Sequence, residues 1–161
     1  MTDKQYTAKL WLTRLENYAA KLKTEKRTLE ILENRLYKGV SRYEGYTGRA
    51  DPMQAQAAHE DAMLAYSEQA ERIQKAQADY LRELKITREV LEQLPGLLSA
   101  IATDRYINGL KWENIEKLYN YGHAQLFRLN GDILEHVADI LAATNTPIIV
   151  TTDNMQQAAA V

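Results

Sequence analysis

Five polar side chains in the C-terminal third of the chain, Lys111, Lys117, His123, Gln125 and Arg128, have the chemistry to read a nucleic acid. Arginine and glutamine carry the paired groups that meet guanine and adenine edges, while lysine neutralises phosphate. Enzyme chemistry has no comparable constellation. The carboxylates form no persuasive pair, no nucleophile accompanies a histidine, the three histidines are not in metal-ligand spacing, and no glycine-rich phosphate loop occurs. The residues therefore predict binding, with no catalysis, no metal and no cofactor. For Arg128 the bland alternative is an ion pair with Asp132 one turn later.

To act together these side chains need a rigid platform, and residues 105–131, RYINGLKWENIEKLYNYGHAQLFRLNG, have the apolar spacing for one. Ile115, Leu118, Leu126 and Leu129 recur as the inner face of two short helices. The helices would meet at Asn120-Tyr121-Gly122, where residue types tolerant of left-handed backbone sit together. This is the pattern of a helix-turn-helix, whose second helix presents its outer face to a partner. Tyr106, Trp112 and Phe127 are expected in the core. Glu116 stands near the helix crossing and must turn outward or find a donor, because burying a carboxylate unpaired is costly.

The preceding residues read as a long support. Leu15, Leu22, Leu29, Leu36 and Tyr43 recur every seven residues, with Tyr18, Leu32 and Val40 between them. A second stripe runs through Met63, Tyr66, Ala70, Ile73, Gln77, Tyr80, Leu84, Thr87, Leu91 and Leu94 in steps of three and four. Between the stripes, Gly39, Gly45, Gly48 and Pro52 interrupt the pattern, and Leu94-Pro95-Gly96 stops the second. The expected architecture is all-α: a coiled-coil helical hairpin arm over 1–96 with its loop at about 41–53, a three-helix helix-turn-helix unit over 97–143, and a flexible tail over 144–161. The three helices of the unit are expected at 97–107, 112–119 and 123 to about 142. A seam of tyrosine, alanine and glutamine is soft, so the arms are expected to mediate homo-oligomerisation.

Charge is unevenly spread behind a net value of −2. Residues 1–50 hold eleven Lys/Arg against six Asp/Glu, whereas residues 51–96 hold five against nine and residues 97–161 four against seven. A basic helix folding against an acidic one accounts for most of this. No cysteine is present, no run of eighteen apolar residues occurs, and MTDKQYTAKL lacks a signal-peptide core. No membrane contact is expected, and the expected compartment is the cytoplasm.

Arg105-Tyr106-Ile107, Gly109-Leu110, Trp112-Glu113, Ile115, Tyr121, Gln125, Arg128 and Gly131, following a heptad-rich hairpin, resemble the phage-encoded late-gene transcription activators of the ArpU type. The C-terminal unit of those activators is similar to region 4 of sigma factors. The resemblance covers most of the chain, and its specific motif lies in the last unit. It implies sequence-specific binding of double-stranded DNA, activation of phage or prophage late genes, contact with bacterial RNA polymerase and residence in the bacterial host cytoplasm. It also places Gln125 and Arg128 outward on the third helix, where family members meet DNA. The chain departs from the family at Glu116, where a small residue is usual, at Asn120 in place of glycine, and at Gly122 in place of a serine cap. Two other functions fit the same parts: a small-terminase-like packaging factor, and a helical adaptor that binds protein and not DNA.

Overall fold

Thr2 opens the first helix with a reciprocal cap. Its hydroxyl accepts the Gln5 backbone N–H at 3.3 Å, and the Gln5 side-chain oxygen accepts the Thr2 N–H at 3.1 Å. From this start α1 runs over Asp3–Glu44, and α2 runs over Pro52–Leu91 with proline at its first position, where a missing N–H costs nothing. Three shorter elements follow: α3 over Gly96–Ala102, continued by a π-helical turn at Thr103–Ile107, then α4 over Trp112–Tyr119 and α5 over His123–Ala143. The structure, a computed structural model, describes the backbone of residues 1–44 and 52–144 and the side chains of 1–38 and 52–144. Among these residues the protein is all-α, and no helix is long and apolar enough to cross a membrane. The expected tail lies almost wholly outside the described residues. So does the centre of the expected 41–53 loop, although the helices extend into that range from both sides, to Glu44 and from Pro52.

The contacts divide the chain at places the sequence does not mark. One compact unit joins Met1–Glu16 to Arg82–Val161, and the other is Asn17–Leu81. The expected boundary near residue 96 falls inside the first unit. Its core gathers Ala8, Trp11 and Leu12 from α1, Val90 and Leu91 at the end of α2, Leu94 in the turn after it, and Ile101, Tyr106, Ile115, Leu126, Ile133 and Val137 from the elements beyond. The three C-terminal elements thus bury their apolar faces together with the roots of both long helices. Arg14 braces this base: its guanidinium lies 3.8 Å from the Trp11 ring centroid, pairs with Glu83 at 3.0 Å and donates to the Thr87 hydroxyl at 3.1 Å.

In the second unit, Leu22, Leu29, Leu32 and Leu36 are half-buried, as their spacing requires. The expected α2 stripe holds at Tyr66, Ala70, Ile73 and Tyr80, which are half-buried, and fails at two positions. Gln69 and Ala76 are buried at 4% and 5% exposure, whereas Met63 is 51% exposed and Gln77 is exposed. Chemistry explains the choice. Gln69 donates to the Glu25 backbone carbonyl at 2.9 Å and to the Glu25 carboxylate, so its amide is satisfied in the seam.

Candidate nucleic-acid interface

The turn between α4 and α5 is built by backbone conformation. Asn120 adopts φ 54° and ψ 44°, the left-handed region that asparagine tolerates, and is the non-glycine residue with positive φ among those described. The Glu116 carbonyl accepts N–H bonds from Asn120 and Tyr121, which closes α4. Gly122 then sits extended at φ −74° and ψ 155°, and its carbonyl accepts the N–H groups of Gln125 and Leu126 at 3.0 Å each, which starts α5. No side chain caps this start. A Cβ at Gly122 would meet nothing within 4 Å, so the serine of the ArpU-type pattern would fit.

Packing then fixes which way α5 faces. Ile115 is fully buried and Leu126 is 2% exposed, and Ile133, Val137 and Leu141 continue the buried stripe of α5. The first two turns consequently turn His123, Gln125 and Arg128 to solvent, and Lys111 and Lys117 of the preceding segment are exposed as well. Among the described residues Arg128 forms no ion pair with Asp132, so its guanidinium is not spent on that carboxylate.

His123 has a partner that its sequence position does not reveal. Its Nδ1 lies 2.8 Å from Glu116 Oε1 across the turn, with 81% of the imidazole side chain exposed and 29% of the Glu116 side chain. The Glu116 carboxylate thereby has a polar partner, and the contact engages Nδ1 of His123, not Nε2.

Two residues expected inside lie outside. Leu118 is 63% exposed because Ile115, with the partly buried Trp112, Tyr119 and Tyr121, occupies the inward positions around the short α4. Phe127 is 75% exposed because it stands 100° around the helix from Leu126, off the buried stripe. Leu129 is half-buried, and Tyr106 is in the core as expected.

The platform is tied together by polar contacts that connect its elements. Asp104 accepts the Tyr119 hydroxyl at 2.7 Å and the Asn108 amide at 2.9 Å, which joins the π-helical turn to α4. Tyr106 donates its hydroxyl to Asn130 of α5 at 2.7 Å. Arg105 donates to the Leu110 carbonyl at 3.0 Å and lies 5.4 Å from the Trp112 ring centroid, while Gly109, at φ 71°, supplies the left-handed turn between them. Only the Asp104–Asn108 pair, four residues apart, has a spacing that could have announced it.

These hydroxyls are held as neutral donors. Burial pushes the Tyr106 hydroxyl up to about 12, although Arg105 and the bond to Asn130 pull it down. Burial also pushes Tyr119 up to about 12, aided by its bond to Asp104 and by the charge there. Each proton is bound more tightly folded than unfolded, so the stability it lends is complete below pH 10 and is lost as the pH rises toward 12. We expect an absorbance titration to show two tyrosines ionising late and the folded fraction to fall in that window. Replacing both with phenylalanine should remove the late pair; loss of two tyrosines that ionise near pH 10 instead would contradict the raised values.

Electrostatics restrict what this face can meet. The exposed Asp132, Glu135 and Asp139 follow Arg128 along α5, so only its first two turns suit a polyanion. Among the described residues no group of three or more His, Asp or Glu side chains could hold a metal ion. Comparison of the chain with protein-family models, with characterised proteins and with solved structures found no match.

Proposed function

We propose that the protein binds double-stranded DNA, with α4 and α5 acting as a helix-turn-helix, and that it regulates phage or prophage late genes, as an activator working with bacterial RNA polymerase. The observation that carries the DNA-binding reading is the outward placement of Gln125 and Arg128 beside the buried Leu126, on the first turns of the helix that follows the left-handed Asn120. Helix-turn-helix proteins meet base edges with those turns. Lys111, Lys117 and His123 supply phosphate contacts around them. The regulatory role rests on the resemblance to ArpU-type activators. A homo-oligomer joined through the helical arms doubles the contacts available to one acidic unit.

Selection of duplexes from a random pool tests the proposal, because sequence-specific binding enriches a common site. Gln125→Ala and Arg128→Ala should each weaken binding to that site by roughly 1–3 kcal/mol while leaving thermal unfolding unchanged. Normal affinity and unchanged preference in the double variant would remove both residues from recognition.

A second reading has its own support. Leu118 and Phe127 are exposed apolar side chains, and Asp132, Glu135 and Asp139 repel phosphate, which suits a helical adaptor that docks on protein. Affinity for DNA that falls steeply with salt favours the first reading, and no retention on DNA at low salt favours the second.

A further inference from the structure

Phe127 is the one phenylalanine of the chain, and the fold makes no use of its ring. Among the described residues three large apolar side chains exceed its 75% exposure: Met1 at the chain start, and Tyr37 and Met53 on the ends of α1 and α2 that border the residues not described. Phe127 lies instead on a well-packed helix, one residue from Leu126 at 2% exposure. Its setting is also specific. Ala124 and Gly131 stand three residues before and four after it, on the same side of α5, so small side chains flank the ring and leave room for close approach. A Cβ at Gly131 would meet only the end of the Gln5 side chain, at 3.9 Å. Arg128 is the next residue and Gln125 lies two before it, both exposed.

We propose that Phe127 is a specificity-determining residue that packs against the 5-methyl group of a thymine adjacent to the base met by Arg128. The proposal rests on the DNA-binding reading above and deepens it by naming the chemistry of one recognised base. The physical case is complementarity. The thymine methyl is the apolar feature of the major-groove edges, and aromatic side chains make contact with it, whereas arginine and glutamine take the polar edges. An exposed aromatic ring between two small residues, one position before an exposed arginine, matches a thymine beside a purine. The position also suits entry, because Phe127 lies in the part of α5 that precedes the acidic Asp132, Glu135 and Asp139.

The test removes the thymine methyl groups and nothing else. Duplexes that the full-length protein enriches from a random pool are copied once with dTTP and once with dUTP, so the two copies differ only in the 5-methyl groups. Wild type should bind the uracil copy about fourfold more weakly, the value of one methyl group removed from water. Phe127→Ala should bind both copies alike, at the affinity of wild type for the uracil copy, with unchanged thermal unfolding. Phe127→Leu should keep part of the difference. Equal binding of both copies by wild type, or a difference that persists in Phe127→Ala, would overturn the proposal while leaving DNA binding intact. Failure to enrich any sequence would overturn the DNA-binding reading itself and leave the ring as a contact for protein.

Discussion

A fragment that begins at Leu97 is expected to lose cooperative unfolding, although it keeps every residue of the helix-turn-helix pattern. The reason is the composition of the first unit's core. Trp11, Leu12, Val90, Leu91 and Leu94 are all at most 7% exposed and all lie before the cut. Each large apolar side chain contributes roughly 1.5–3 kcal/mol by leaving water, so their loss removes about 8–15 kcal/mol, the whole net stability of an ordinary domain. Within the intact chain, Trp11→Ala should cost roughly 3–5 kcal/mol, because it leaves a cavity and removes the ring beneath Arg14. Thermal unfolding by circular dichroism reads both. A fragment from Leu97 that unfolds with a sharp transition near that of the full chain would show that the last three helices hold themselves together, and that the roots of α1 and α2 only cover them.

That expectation separates what local chemistry announces from what it does not. The helix ends were legible because single residues set them: Pro52 starts α2, Pro95 and Gly96 interrupt the chain after it, Gly109 turns after the π-helical segment, and Asn120 ends α4. Ile115 and Leu126 were legible as core because their spacing is helical on both sides of the turn. The α2 seam was legible only in part. Two registers share Tyr66, Ile73, Tyr80, Thr87 and Leu94, and differ in whether the intervening position is Met63, Ala70, Gln77, Leu84 and Leu91 or the residue before each. Apolarity favours the first set. The fold mixes them: it buries Leu91 of the first and Gln69, Ala76 and Val90 of the second, because Glu25 satisfies Gln69 and the small size of Ala76 permits close approach. No pattern within α2 contains Glu25.

The candidate interface shows the same division. Exposure of Gln125 and Arg128 follows from the stripe on their own helix, so it could be read from the sequence. The hydrogen bond of His123 with Glu116, the bond of Tyr119 to Asp104 and the packing of α1 against the C-terminal elements depend on the path of the chain between them. Phe127 was misplaced because hydrophobicity alone speaks for burial. The rotation of α5 fixed by its neighbours overrides it, and an exposed apolar ring is then a reason to look for a partner.

Leu126→Ala is expected to unfold the first unit at markedly lower temperature, with a loss of roughly 2–5 kcal/mol, while Arg128→Ala leaves its stability within about 0.5 kcal/mol of wild type. The two residues are two positions apart on α5, and the contrast arises from rotation alone. Leu126 is 2% exposed and belongs to the core cluster, so deleting its side chain removes transfer energy and leaves a cavity that the backbone of a short turn cannot close. Arg128 is exposed, without an ion pair to Asp132, so its deletion leaves no unpaired group behind. DNA binding should show the opposite order when measured well below the melting temperature. On the proposed function, Arg128→Ala should lose affinity at full folding, whereas Leu126→Ala, where still folded, should keep the outer face of α5 and bind with near-normal sequence preference. Equal melting temperatures for Leu126→Ala and wild type would mean that α5 is turned differently about its axis, and the outward placement of Gln125 and Arg128 would fall with it.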